Sequence, residues 1–141
     1  MTVTFRRATL ADAEPVAALL TELGYASTAA DVIDRVQRSL HGATSWLLLA
    51  QSATDVIGLI SAELVPYFPN GTTVCRVTAL VVAEQHRGRG LGEKLLACVT
   101  EFAREQGCSG IELTSAHHRR DAHRFYERLG FSTALRFFRP L

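Results

Sequence analysis

The sequence predicts an α/β domain: a central mixed, mostly antiparallel sheet of about six to seven strands, with one parallel pair and helices on both faces. Three observations lead there. Apolar residues repeat at helical spacing up to residue 40 and then switch to short strand-like runs. The runs between residues 45 and 82 are joined by short connections, which makes them an antiparallel meander. The segment from Arg76 to Thr114 reads strand, glycine loop, helix, strand, and that order forces a parallel pair.

The elements follow in order. "TVTFRR" reads as the first strand. In "LADAEPVAALLTELG", Asp12 is placed to cap a helix that tolerates Pro15 in its first turn and ends at Gly24. "STAADVIDRVQRSLHG" is a second helix, with Thr28 and Asp31 spaced as a capping box and Val32, Ile33, Val36 and Leu40 on one face. "SWLLLAQ" and "DVIGLISAELV" are strands; in the latter Leu59, Ser61 and Glu63 share a face. "PYFPNGT" is turn chemistry, and "VCRVTALVV" is the third strand of the meander. A helix runs from about Gly90 to Gln106, with Leu91, Leu95, Val99 and Phe102 in register, and Gly107 stops it. "SGIELTS" is a strand, "RRDAHRFYERLG" a helix, and "FSTALRFF" a final strand.

With 141 residues, the chain fits one domain over residues 1–141. Fifteen Lys and Arg against fourteen Asp and Glu leave a net charge of +1, so a field that attracts nucleic acid is not expected. No apolar run reaches the length of a membrane span. The start, "MTVTFRRATLADAEP", has no long apolar stretch behind its arginines, so no cleaved leader is expected. Cys75, Cys98 and Cys108 are odd in number and lack metal-type spacing; they read as reduced thiols of a cytoplasmic protein. His117, His118 and His123 cluster without a further ligand set, so no metal is expected.

The stretch "QHRGRGLGEKLL" asks for a chemical reason. A strand that ends in glycines and opens a helix builds an anion site: free N–H groups converge, and the helix dipole adds roughly half a positive charge. Arg87 and Arg89 add more. A Walker loop is excluded because Glu93 and Lys94 follow Gly92. A dinucleotide fingerprint loses its third glycine to Glu93, although Glu112 stands twenty residues beyond Gly92 on a strand.

The pattern that fits is R-x-x-G-x-G, at Arg87, Gly90 and Gly92. With "FRRATLADAEPVAALL", "LVVAEQHRGRGLGEKLL" and "AHRFYERLGF", the chain resembles the GNAT superfamily of acyl-CoA-dependent N-acetyltransferases over nearly its whole length. That resemblance implies acetyl-CoA as acyl donor, its pyrophosphate on the backbone of Arg87, Gly88, Arg89, Gly90, Leu91, Gly92 and Glu93. It places the pantetheine arm along Leu80, Val81 and Val82, as an added strand. Phe125 and Tyr126 belong to the implied cofactor contacts. Where the family commonly has Asn, this chain has Arg119, placed to face a CoA phosphate.

Acetyl transfer to an amine needs the amine to lose a proton, the tetrahedral oxygen to be stabilised and the thiolate to be protonated. Tyr126 matches the family's proton donor to the thiolate; a packing role on its helix is the competing reading. Glu63 is the candidate base, with water as the alternative. The expected acceptor is a small-molecule amine or a peptide N-terminus, attacked directly without a covalent enzyme intermediate. A non-catalytic acyl-CoA-binding regulatory domain is the alternative function. The apolar "STALRFF" end is a candidate homodimer interface.

Overall fold

The computed structural model describes residues 2–114 and 120–141. Five strands form one sheet in the order β1 (Thr4–Arg7), β2 (Ser45–Gln51), β3 (Val56–Tyr67), β4 (Thr72–Val82) and β5 (Gly110–Leu113). The first four are antiparallel neighbours, and β5 runs parallel to β4. Helices α1 (Ala13–Leu23) and α2 (Ala29–His41) cover one face, where Val16, Leu19, Val32 and Val36 meet Leu49, Leu59 and Val81. Helix α3 (Leu91–Glu105) covers the other, burying Leu95, Leu96 and Val99 against Leu48, Ile57 and Ile60. Helix α4 (Arg120–Arg128) lies on that second side, since Leu129 and Phe131 just beyond it pack on the α3 cluster.

The mixed sheet and two-sided cover agree with the sequence reading, but the strand count among the described residues is five, not six to seven. "FSTALRFF" is the difference: residues 131–141 have no regular structure, and Leu135, Phe137 and Phe138 are exposed. An apolar run becomes a strand only where a neighbour takes its hydrogen bonds and covers its side chains, and among the described residues no strand pairs beyond β5. At the other hairpin β3 continues through Pro66 to Tyr67, so the turn shrinks to the tip between Tyr67 and Thr72. In α2 the capping box forms as read, Thr28 Oγ1 accepting from the Asp31 N–H and the Asp31 carboxylate from the Thr28 N–H. Its buried stripe is narrower than the pattern suggested, because Ile33 and Leu40 stay 45% and 40% exposed.

Asp12 does something the cap reading missed. Its carboxylate takes both terminal nitrogens of Arg6, at 2.9 and 2.8 Å, and the Thr9 N–H at 2.7 Å. These contacts tie β1 to the start of α1 and leave no side-chain cap on that helix. The Arg6 guanidinium is the main reason the Asp12 pKa lies below the ordinary 3.8; the cost of burial opposes it. The unfolded chain therefore binds the proton first as pH falls, so the contribution of Asp12 is complete above the ordinary aspartate pKa and is lost as pH drops through the lower folded value. Asp12→Ala is expected to destabilise by about 2 kcal/mol near neutral pH. Urea melts should show that gap narrowing as pH falls below the ordinary aspartate pKa and closing below the lowered folded one; a constant gap would mean the ion pair is not its source.

Candidate active site

The site begins where β4 outruns its parallel neighbour. β5 pairs with Val74–Val77 and the Ser109 N–H bonds the Thr73 carbonyl, so among the described residues it is β4 beyond Val77 that has no strand on this edge. The Ala83 N–H bonds back to the Ile57 carbonyl of β3 at 2.8 Å. Strand geometry alternates edges, so the N–H and C=O groups of Val82 and Leu80 face away from β3 into the gap. Val81 is buried and points into the α1 and α2 core, whereas Leu80 leans on the α3 core.

A 3-10 turn, Glu84–His86, carries the chain from β4 into the glycine loop. Gly88 and Gly90 both have φ of +77°, the left-handed region that a side chain enters only at a cost. Gly90 is the N-cap of α3 and offers no side chain to its first turn, whose N–H groups are left to face outward. Gly92 is helical and faces α4: a Cβ there would lie 3.5 Å from the Phe125 ring, in ordinary contact with it, so Phe125 packs directly over the start of α3.

Together these parts enclose a cleft of about 380 Å³. Its floor is Val82 and the loop from Arg87 to Glu93, without Arg89, and its wall is Phe125 and Arg128 of α4. Two cations, Arg87 and Arg128, line the cleft against one carboxylate, Glu93, and the start of α3 adds the positive end of its dipole. Arg87 donates from Nε to the Val82 carbonyl at 3.0 Å, while Arg128 stacks 5.6 Å from the Phe125 ring centre. A strand edge with outward-facing N–H groups leading into an N–H-lined pocket with two arginines suits an extended ligand with amides along its length and phosphate at its end.

Residues 13–131 match the acetyltransferase (GNAT) family. The chain belongs to the GNAT family. It is 33% identical over 110 residues to N-acetyltransferase 8F1 of Mus musculus, covering 77% of this chain and 49% of that protein. It is 37% identical over 83 residues to the aminoalkylphosphonate N-acetyltransferase of Salmonella typhimurium, covering 59% and 54%. The chain thus spans about half the length of the curated relatives it matches. A crystal structure described as a transcriptional regulator from Bacillus halodurans C-125 superposes with a TM-score of 0.91 over 99% of both chains, at 25% identity.

Against this GNAT frame, the predicted residues separate into two groups. Val82, Arg87, Gly88, Gly90, Leu91, Gly92, Glu93 and Phe125 line the one cleft. Tyr126 is half-buried beside it, its ring edge-on to Phe125 and Phe131, with centroids 5.3 and 5.9 Å away. Glu63 stands apart on β3, its two oxygens accepting the hydroxyls of Thr44 and Ser45 at 2.6 and 2.7 Å. Arg119, His117 and His118 lie outside the described residues. Two further residues line the cleft. His86 has its Nδ1 buried without a hydrogen-bond partner among the described residues, and Arg128 belongs to a set, Arg119, Arg120, Arg124 and Arg128, whose sequence reading is a solvated helix face, with a phosphate of the acceptor or of CoA as the alternative. The spacing of Arg128, three residues beyond Phe125 on one helix, was the signal that could have found it.

Other features of this GNAT chain concern packing. Burial pushes the Cys75 thiol up to about 11, which suits an inert core group. Among the described residues no group of three or more His, Cys, Asp or Glu could hold a metal, and no helix is long and apolar enough to cross a membrane.

Proposed function

We propose that the chain transfers an acetyl group from acetyl-CoA to a primary amine by direct attack. The observation that supports this best is the free edge of β4 running into the glycine-opened start of α3. On this reading the pantetheine amides pair with Leu80 and Val82, and the pyrophosphate takes the N–H groups from Arg87 to Glu93. Arg87 and Arg128 balance the phosphate charge. A backbone N–H on the free edge stabilises the tetrahedral oxygen, and Tyr126 protonates the leaving thiolate. Glu63 already serves two hydroxyls, so water is the better proton acceptor for the amine.

The acceptor is a small-molecule amine or a peptide N-terminus. The exposed Leu135, Phe137 and Phe138 mark the surface through which a second copy would associate. Three cysteines without a disulfide between them fit work in the cytoplasm.

Thermal shift tests the ligand. At a hundredfold excess over Kd, CoA should stabilise the fold by about 2.7 kcal/mol and raise Tm by several degrees. A rise with NADH and none with CoA would overturn the assignment. Turnover of acetyl-CoA over polyamines, amino acids, aminoglycosides, aminophosphonates and peptide N-termini then tests the reaction. CoA binding with no turnover on any amine would instead favour a regulatory acyl-CoA-binding domain.

A further inference from the structure

Glu22 sits in the last turn of α1, where the helix dipole disfavours a carboxylate and no basic residue follows to offset it. A local rule broken in this way calls for a compensating contact. That contact lies 62 residues away: Glu22 Oε1 accepts the Glu84 N–H at 2.9 Å. Glu84 opens the 3-10 turn that leads into the glycine loop, and the residue before it, Ala83, has no side chain able to cap that turn. The same oxygen faces Arg87, at the other end of the turn, with Nη2 at 3.9 Å. Arg87 in turn holds the Val82 carbonyl, at the end of β4.

We infer that Glu22 is a positioning residue for the coenzyme loop. From α1 it supplies the acceptor that the 3-10 turn lacks, and so sets the direction in which the loop leaves β4. The short hydrogen bond carries this role. The longer, solvent-screened approach to Arg87 adds little. Because the loop N–H groups must converge on one phosphate, a turn released at its first residue degrades the pocket without touching the ligand. The inference rests on the coenzyme reading above.

Three variants test it: Glu22→Ala, Glu22→Asp and Glu22→Gln. Gln keeps an oxygen at the same reach but no charge, whereas Asp keeps the charge on a side chain one methylene shorter. Calorimetry with CoA should show Ala and Asp weakened about fivefold, the equivalent of one lost hydrogen bond, and Gln close to wild type. The KM for acetyl-CoA should rise alongside, with kcat at saturation, acceptor KM and Tm nearly unchanged. Asp and Gln decide the matter if Ala does not fold. The reverse order, with Asp normal and Gln weak, would assign the effect to charge on Arg87 and overturn the inference. So would wild-type affinity in all three, or a lower Tm with unchanged KM. A wild-type protein that takes up no CoA in the same titration would remove the coenzyme site itself; a binding wild type matched by all three variants removes only the role of Glu22.

Discussion

Gly90→Asp is expected to weaken CoA binding by on the order of a hundredfold while the domain stays folded. Nothing lies within 4 Å of a Cβ built at Gly90, so the change meets open space and not a wall. Its backbone cost comes from φ of +77°, which Asp tolerates better than most residues. That cost is about 1–2 kcal/mol, which a domain of this size survives. The effect on the ligand is electrostatic. A carboxylate at the N-cap of α3 stands where the pyrophosphate would stand and competes for the same N–H groups. Gly90→Ala, which adds the Cβ without the charge, should lose far less. Calorimetry showing unchanged CoA affinity in folded Gly90→Asp protein would place the pyrophosphate elsewhere.

Tyr126→Phe should lower turnover by roughly 10²–10⁴-fold where thiolate protonation limits the rate, the usual range for a general acid. A phenol near pKa 10 gives its proton to a thiolate near 8.5 at only a small energetic cost. The substitution keeps the ring, so the edge-on contacts with Phe125 and Phe131 survive, and CoA affinity and Tm should change little. Packing alone predicts the opposite result: normal turnover and a loss of about 1 kcal/mol from one hydrogen bond. Wild-type turnover in Tyr126→Phe protein, with chemistry shown to be rate-limiting, would leave Tyr126 as a packing residue.

Much of the fold could be read along the chain because its signals are local. A switch from helical spacing to a short continuous apolar run marks α2 against β2, and Thr28 with Asp31 sets the start of α2 within three residues of sequence. The glycine loop is equally local: Gly88 and Gly90 are bare because the backbone itself turns left-handed there. The last strand failed for the complementary reason. "FSTALRFF" has a strand's composition, but a strand exists only in relation to a neighbour, and composition does not supply one.

Residue order by itself determined the element sequence as far as α4, the parallel pair and the bare, positive mouth of α3, since each depends on contacts within a few residues or on connection length. Only the tertiary structure decided what converges on that mouth. Arg128 reaches the cleft because α4 packs Phe125 over the start of α3, and Glu22 reaches the loop because the packing of α1 on the sheet brings its end beside Glu84. Asp12 likewise bonds Arg6 in place of capping its own helix. In each case a side chain with several local options takes the partner that packing brings nearest, and that choice is made by distances that no spacing along the chain encodes.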